Sequence, residues 1–312
     1  MTKRKKQYQG LLDIRTNYKS GLINKADYID QCQARHLQLF DYPGFMMGTN
    51  ISSIEIKDHG ICLTTRNEGI KMMASQIDKR TAPIEMLNFG DAEKDEMIIL
   101  KKLIKKNRKK NITILDVGAN IGWFSLYYAK ALPGSQIYSF EPIANNYANI
   151  LFNIKLNGLK NIKAVNVGVS DHQGVATFYC DQEITANASL VKHSARKHLE
   201  EKNVKLVTLD KYCGQNGIRP DLLKVDVEGA ELFVFKGAKR ILADHHPIVF
   251  AEMLRKWAEK FNYHPNQIIE LLNNYGYQCF RLCGDRLRLF AKMDDSTKET
   301  NFFFLDQRYH KI

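Results

Sequence analysis

No stretch of this 312-residue chain approaches the ~18 consecutive apolar residues that a membrane-spanning helix needs, so a helical integral membrane protein is excluded. No apolar segment follows the basic, polar residues 1–10, and no secretory leader is read there. Paired cysteines at metal-site spacing are also missing. Six cysteines stand at 32, 62, 180, 213, 279 and 283, and the one close pair, Cys279 and Cys283, has no second pair to complete a zinc site. At this size and density a disulfide framework is not expected. The reading is free thiols, a reducing cytoplasm and no bound structural metal. There is no G-x-y period, and 44% hydrophobic with 26% charged residues fits a globular chain rather than a disordered one.

Positive charge is in excess. Lys and Arg total 46 against 34 Asp and Glu, a net +12, with a pI near 9.3. Such a balance is the footprint of phosphate binding, and it keeps a nucleic-acid partner open as the alternative. The distribution weakens that alternative. One cluster, Lys3 to Lys6, is a basic tip. The other, Lys101, Lys102, Lys105, Lys106, Arg108, Lys109 and Lys110, reads as the solvated end of a helix, where cations suit the helix dipole.

The chain changes character near residue 91. Before it, residues 24–40 carry a helical period with Asn24 as N-cap, Tyr42-Pro43-Gly44 breaks it, and residues 51–64 alternate around Asp58-His59-Gly60 as a hairpin. Residues 1–90 are expected to form an accessory region of helices and hairpin. From 91 to 312 strand and helix patterns alternate: strands at 112–117, 136–140, 162–167, 222–227 and 248–253, helices at 96–106, 123–132, 145–157, 230–242 and 265–275, and short strands at 278–282, 286–291 and 301–305. Residues 171–203 look irregular. Alternation at these lengths implies βαβ units in an α/β fold with a mainly parallel sheet, and the late short strands suit an antiparallel edge.

The strongest local signal is I-L-D-V-G-A-N-I-G-W-F, residues 114–124: an apolar strand, a turn with two glycines, then a helix. A dinucleotide loop starting at Gly118 would need glycine at 120 and 123. Asn120 and Trp123 stand there, which weakens a nicotinamide reading, and no Walker lysine follows. The next strand ends in Glu141-Pro142, 25 residues after Asp116. An acid at the end of the second strand can accept both hydroxyls of a ribose. The ligand is then a nucleoside without a phosphate demand, and S-adenosylmethionine fits that description.

Three segments, D-V-G-A-N-I-G-W-F-S, S-F-E-P-I-A-N-N and L-L-K-V-D-V-E-G-A-E, resemble in order and spacing those of the FkbM-type S-adenosylmethionine-dependent methyltransferases, over roughly residues 88–282. The resemblance implies a class I methyltransferase fold, Rossmann-like, with a seven-stranded sheet whose last strand is antiparallel. It implies S-adenosyl-L-methionine as cofactor and S-adenosyl-L-homocysteine as product. By position it implies cofactor contacts from Asp116, Gly118, Ala119, Asn120, Gly122, Trp123 and Phe124, from Glu141 and Pro142, from Gly168 and Val169, from Asp226, and from Glu93 in F-G-D-A-E. It implies O-methyl transfer to a hydroxyl of a saccharide, a glycolipid or a related small molecule, and it leaves the acceptor open. RNA methylation is the alternative that the charge suggests, and a homodimer stays open.

A hydroxyl is a poor nucleophile, and a base within hydrogen-bond reach helps it. The fourth-strand motif offers Lys224, Asp226 and Glu228, which strand alternation would put on one face, with Lys224 tuning Asp226. Glu252 ends the fifth strand, where open α/β sheets line their crevice; it would orient the acceptor or act as base, or else pair with Arg255 or Lys256. Asp226, Glu228 and Glu252 are the carboxylates a divalent cation would use, although no ligand spacing demands one. Trp257, Phe261 and Tyr263 would stack on a sugar or pack on the core, and His193 is a further candidate base.

Overall fold

A computed structural model describes residues 10–58, 60–76, 78–91, 94–107, 111–181, 184–189 and 199–312. Glu93 and His193 lie outside the described residues. The chain opens with two helices, α1 (Leu11–Lys19) and α2 (Lys25–His36). Asn24 caps α2 by accepting the Asp27 N–H at 2.9 Å. The helix expected to reach Phe40 tightens into a 3-10 turn at Leu37–Phe40, and a short helix α3 (Tyr42–Phe45) follows. Helix α1 escapes the sequence reading because only Ile14 of its apolar residues is buried, so it has no stripe to detect.

Strands β1 (Ile51–Lys57), β2 (Gly60–Thr65) and β3 (Lys71–Met73) form an antiparallel sheet; the β1–β2 hairpin is the expected one and β3 extends it. Helices α4 (Ala82–Phe89) and α5 (Lys94–Lys106) lead into the main body. There β4 (Thr113–Val117), α6 (Trp123–Ala131), β5 (Gln136–Phe140), α7 (Ala144–Leu156) and β6 (Ile162–Val165) alternate. The segment read as irregular holds strands instead: β7 (Gly168–Val169), β8 (Gly174–Asp181), β9 (Ile184–Ser189) and β10 (Leu199–Val207), a four-stranded sheet in the order β7-β10-β8-β9. The polar run Glu200–Asn203 hides its period.

The rest is α8 (Leu209–Asn216), β11 (Leu222–Val225), α9 (Glu231–Lys236), β12 (Ile248–Glu252), α10 (Arg255–Ala258), α11 (Asn266–Asn273), β13 (Gln278–Cys283), β14 (Arg286–Leu289) and β15 (Asn301–Leu305). The helix expected over 230–242 stops at Lys236. Gly237 lies so close to the Ser170 carbonyl that a Cβ there would fall 2.1 Å from its oxygen, and a π-helical turn at Ile241–His245 follows.

The main sheet runs β14-β13-β15-β12-β11-β4-β5-β6. Its five strands from β12 to β6 are parallel, and β15 enters antiparallel between β12 and β13. The α/β sheet with an antiparallel last strand is thus present, and β14 makes it eight strands rather than seven. Alternation divides its side chains between two cores. Leu115, Val117, Leu223, Val225 and Val249 pack with Leu209, Leu232 and Ile268 on one face. Ile114, Leu222 and Phe250 pack with Leu100 and Phe124 on the other, together with Ile51, Leu63 and Met72 of the N-terminal sheet and Met86 of α4. Two asparagines tie that sheet on, one within α7 and one capping its C-terminal end: Asn153 Oδ1 accepts the Met73 N–H at 3.1 Å and Asn157 Oδ1 accepts the Lys71 N–H at 2.9 Å. Strand order reverses between β4 and β11, so a crevice opens beyond their C-terminal ends. Among the described residues no helix is long and apolar enough to cross a membrane.

Candidate functional site

The crevice at that reversal is a cavity of about 390 Å³. The β4 loop forms its floor. Gly118 has φ +80°, and a Cβ there would fall 1.8 Å from the Asp226 carbonyl oxygen. Only glycine lets the tips of β4 and β11 meet. The mirror contact is at Gly229, φ +101°, where a Cβ would fall 2.6 Å from the Trp257 carbonyl oxygen. The Gly118 and Ala119 N–H groups donate to the Phe140 carbonyl, each at 3.0 Å. Gly122, in the left-handed region, starts α6.

Beneath the floor is a buried ion network. Asp116 is fully buried and accepts the Ser125 hydroxyl at 2.6 Å. Lys224 Nζ lies 3.4 Å from Asp116 and 3.3 Å from Asp226, and donates to the Gly118 carbonyl at 2.9 Å. A buried lysine with two carboxylates and a carbonyl is a satisfied charge. It locks the glycine loop to β11 from below, away from the cavity.

Glu141 sits in the wall. One carboxylate oxygen accepts the Asn120 N–H and the other the Ile143 N–H, both at 2.9 Å. Burial pushes its pKa up to about 7, with the two backbone donors, Asn146 and Lys224 working against the rise. Asn166 donates to the Glu141 and Pro142 carbonyls at 2.8 and 3.0 Å, holding the turn after β6 against the turn after β5.

Beyond β11 the alternation expected to put Lys224, Asp226 and Glu228 on one face fails. The strand ends at Val225, and Glu228 adopts φ +55°, a strained position for a side chain with a Cβ. Its Oε2 is buried without a hydrogen-bond partner among the described residues. Burial, then the neighbouring Asp226 and Glu231 charges, push its pKa up to about 8. Glu231 is used differently: its carboxylate accepts the Val227 and Gly229 N–H groups at 3.1 and 3.0 Å and the Tyr263 hydroxyl at 3.1 Å.

Of the expected site residues, Gly118, Asn120, Glu141, Pro142, Gly168, Val169, Asp226, Glu228 and Glu252 line the cavity. Asp116, Ala119, Gly122, Trp123, Phe124 and Lys224 support it from behind. Phe124 stacks toward Phe250 at 6.3 Å, and the buried Trp123 Nε1 has no partner among the described residues. Arg255, offered as a partner for Glu252, pairs with Asp295. Of the three aromatics weighed for stacking, Trp257 lines the cavity, with Lys260 Nζ 3.4 Å over its ring. Phe261 packs on Phe233 and Tyr263 is buried. Among the described residues no group of three His, Cys, Asp or Glu is placed to hold a metal.

The chain matches the Methyltransferase FkbM domain over residues 116–279, which runs from the buried Asp116 through the strand tips at Gly118 and Gly229. It belongs to the FkbM methyltransferase family. A methyltransferase, sdnD, of Sordaria araneosa is 32% identical over 204 residues, 56% of this chain and 77% of that one. Methyltransferase 1 of Beauveria bassiana is 30% identical over 151 residues, 43% of this chain and 59% of that protein. A crystal structure of an FkbM methyltransferase from Methylobacillus flagellatus aligns with a TM-score of 0.39 and 16% identity, covering 62% of this chain and 44% of that one.

Three cavity residues, Arg80, Glu85 and Thr300, lie outside the FkbM match, and Phe178 within it belongs to no motif. Arg80 and Glu85 come from the N-terminal region, with Arg80 Nε donating to Glu85 Oε1 at 2.8 Å; Phe178 comes from β8, and Thr300 precedes β15. A loop arginine before a helix, an aromatic in a polar strand and a lone threonine carry no sequence signal for a site. Only the folded chain brings them to it.

Proposed function

We propose that this FkbM methyltransferase uses S-adenosylmethionine to methylate a hydroxyl of a saccharide, a glycolipid or a related small molecule. The observation that carries the cofactor reading is the pair of acceptors in the cavity wall. Asn120 Oδ1 is buried with no partner among the described residues, and Glu141 faces the same cavity. Asn120 would take the cofactor's ammonium and Glu141 the ribose hydroxyls. The Gly118–Gly122 loop carries no cation, which suits a ligand without a phosphate. The bound cofactor supplies an electrophilic methyl on a sulfonium. The chain supplies position and a base. Asp226 and Glu252 flank the acceptor space. Glu228, with its free oxygen and a pKa near 8, takes the acceptor's hydroxyl proton; a carboxylate of that basicity is better matched to neutral operation than an ordinary one.

Calorimetric titration with S-adenosylhomocysteine tests the cofactor, with a nicotinamide nucleotide as control. Micromolar binding is expected, weakened roughly 10- to 100-fold in Glu141→Ala, as for lost hydrogen bonds to a charged group. Absent binding, or binding indifferent to Glu141, overturns the reading. Transfer of labelled methyl to a panel of glycosides and glycolipids, with RNA beside them, tests the acceptor; label in RNA alone would replace the hydroxyl acceptor by a nucleic acid.

A further inference from the structure

The cavity at the strand tips has a neighbour. A groove of about 940 Å³ lies beside it, and Leu254, Lys256 and Thr300 line both. The ridge between them is the join of β12 and β15, where the Met253 N–H donates to the Thr300 carbonyl at 2.7 Å. Glu252, at the tip of β12, stands on the cavity side of that ridge.

Methyl transfer needs two molecules held together in line. A single drug-sized ligand takes a pocket of roughly 300–1,000 Å³. A cavity of about 390 Å³ therefore seats the cofactor and the reacting hydroxyl, and leaves no room for the body of an acceptor. The adjoining groove is where that body can lie.

Its walls are joined to each other. One wall is the turn into α11, and the other is the segment 293–300 that leads into β15. Asn266 staples the two: its side chain accepts the Met293 N–H at 2.8 Å and donates to the Met293 carbonyl at 3.0 Å. Arg255 of α10 adds a second tie, to Asp295. Preformed walls spare a ligand much of the cost of ordering them.

The lining selects the chemistry. Met253, Tyr263 and Met293 are buried beneath the groove, so an acyl chain would meet little apolar surface. Charge is balanced, with Arg255, Lys256 and Lys298 against Glu259, Asp295 and Glu299. Asp295 is held by Arg255 and Glu299 by Arg281. Such a groove has no surplus of cations with which to follow a phosphate backbone. What remains is hydrogen-bonding capacity: the amides of Asn262 and Gln267, the hydroxyl of Thr300 and the imidazole of His264. A chain of hydroxyls, each both donor and acceptor, matches that lining.

We infer that the acceptor is a neutral saccharide of two or more rings. The methylated ring lies in the cavity beside Glu252, and the following rings lie along the groove between Gln267 and Lys298, which are exposed on its opposite walls. The inference rests on the hydroxyl acceptor proposed above and narrows it, away from a lone sugar and away from a lipid tail held by the protein.

The test is initial-rate kinetics of the full chain with S-adenosylmethionine and a panel of methyl glycosides, each offered as one, two and four rings. Octyl glycosides and uronic acids of the single rings stand beside them. The disaccharides should exceed the single rings at least tenfold in kcat/KM, as for one or two hydrogen bonds gained, and the octyl tail should add less than threefold. Gln267→Ala and Lys298→Ala should each cut the preference for the longer acceptor three- to tenfold, through KM. Titration of the tetrasaccharide into the S-adenosylhomocysteine complex should show the same loss of affinity. Methyl transfer that is indifferent to ring number overturns the inference and leaves the saccharide reading standing, as does a gain of tenfold or more from the octyl tail or the carboxylate. No transfer to any glycoside, with S-adenosylhomocysteine still bound, removes the saccharide acceptor and this inference with it.

Discussion

The sheet tips and the N-terminal region spend their side chains in opposite ways. At the tips almost every polar group is committed. Lys224 holds two carboxylates and a carbonyl, Glu141 two backbone donors, Glu231 two backbone donors and a phenol. Among the unpartnered buried atoms there, Asn120 Oδ1 and Glu228 Oε2 belong to residues that line the cavity and are what a ligand would meet. In the N-terminal region the uncommitted groups are apolar and lie outside, from Leu12 to Phe89. A site for chemistry shows as polar atoms left open inside a packed frame. A surface for docking shows as apolar atoms left open outside one.

The sharpest way to break this contrast is Glu228→Gln. If the open oxygen is the base, turnover should fall roughly 10²- to 10⁴-fold while S-adenosylhomocysteine affinity stays within a few fold. In the parent enzyme kcat/KM should rise with pH and level off above about 8, where Glu228 loses its proton, and the variant should lose that limb. Steady-state kinetics from pH 6 to 9.5 decide it.

Next in size is Gly118→Ala, which attacks the frame rather than the open group. Strain at a positive φ costs about 1–3 kcal/mol, so cofactor affinity should drop roughly 10- to 100-fold, with a lowered Tm. Unchanged affinity by calorimetry would mean that the strand tips need not touch.

Stability against pH comes third. Glu141, Glu231 and Glu228 titrate near 7, 7 and 8 when folded, each raised by burial from an ordinary 4.5. Between 4.5 and those values the folded chain keeps protons that the unfolded chain has released. Stability is therefore fullest below about pH 4.5 as far as these groups go, and is lost as pH rises through 7 to 8. Scanning calorimetry of the ligand-free protein should show Tm falling between pH 6 and 9, and Glu228→Gln should recover part of the fall, on the order of 2–4 °C.

Arg80→Ala probes a place where the two regions meet. Its pair with Glu85 is largely exposed, so the acceptor KM should rise no more than about fivefold with kcat unchanged. The smallest effect is expected from Phe89→Ser: within about 0.5 kcal/mol of parent stability by denaturant titration, since that side chain packs on nothing that the fold needs.

The parallel sheet and the glycine loop were legible because their causes are local. A short apolar run bounded by turn residues reads as a buried strand, and Gly118 with Gly122 marks a backbone that must bend. Asn24 announced its helix for the same reason. Strand β14 was legible at 286–291, whereas the strands within 171–203 and helix α1 escaped because their sequences carry no clean period. Alternation misled at Glu228, since it holds only while the strand lasts, and β11 ends three residues earlier. Arg80, Glu85, Phe178 and Thr300 reach the cavity through tertiary packing, which no spacing in the chain encodes.

The hydrogen bond from Lys224 to the Gly118 carbonyl joins residues 106 apart in sequence. Everything from the glycine loop to α8 must be synthesised, and β11 must find β4 across that interval, before the cavity has a floor. Closing so large a loop to make a parallel pair is among the slower steps open to a folding chain. The binding pocket is therefore a late event in the life of the polypeptide, and a nascent chain ending before Leu222 has two of its three motifs and no place to bind. Recovery of cofactor affinity during refolding should lag behind recovery of helix signal, which makes ligand binding a clock for the closing of the central strands.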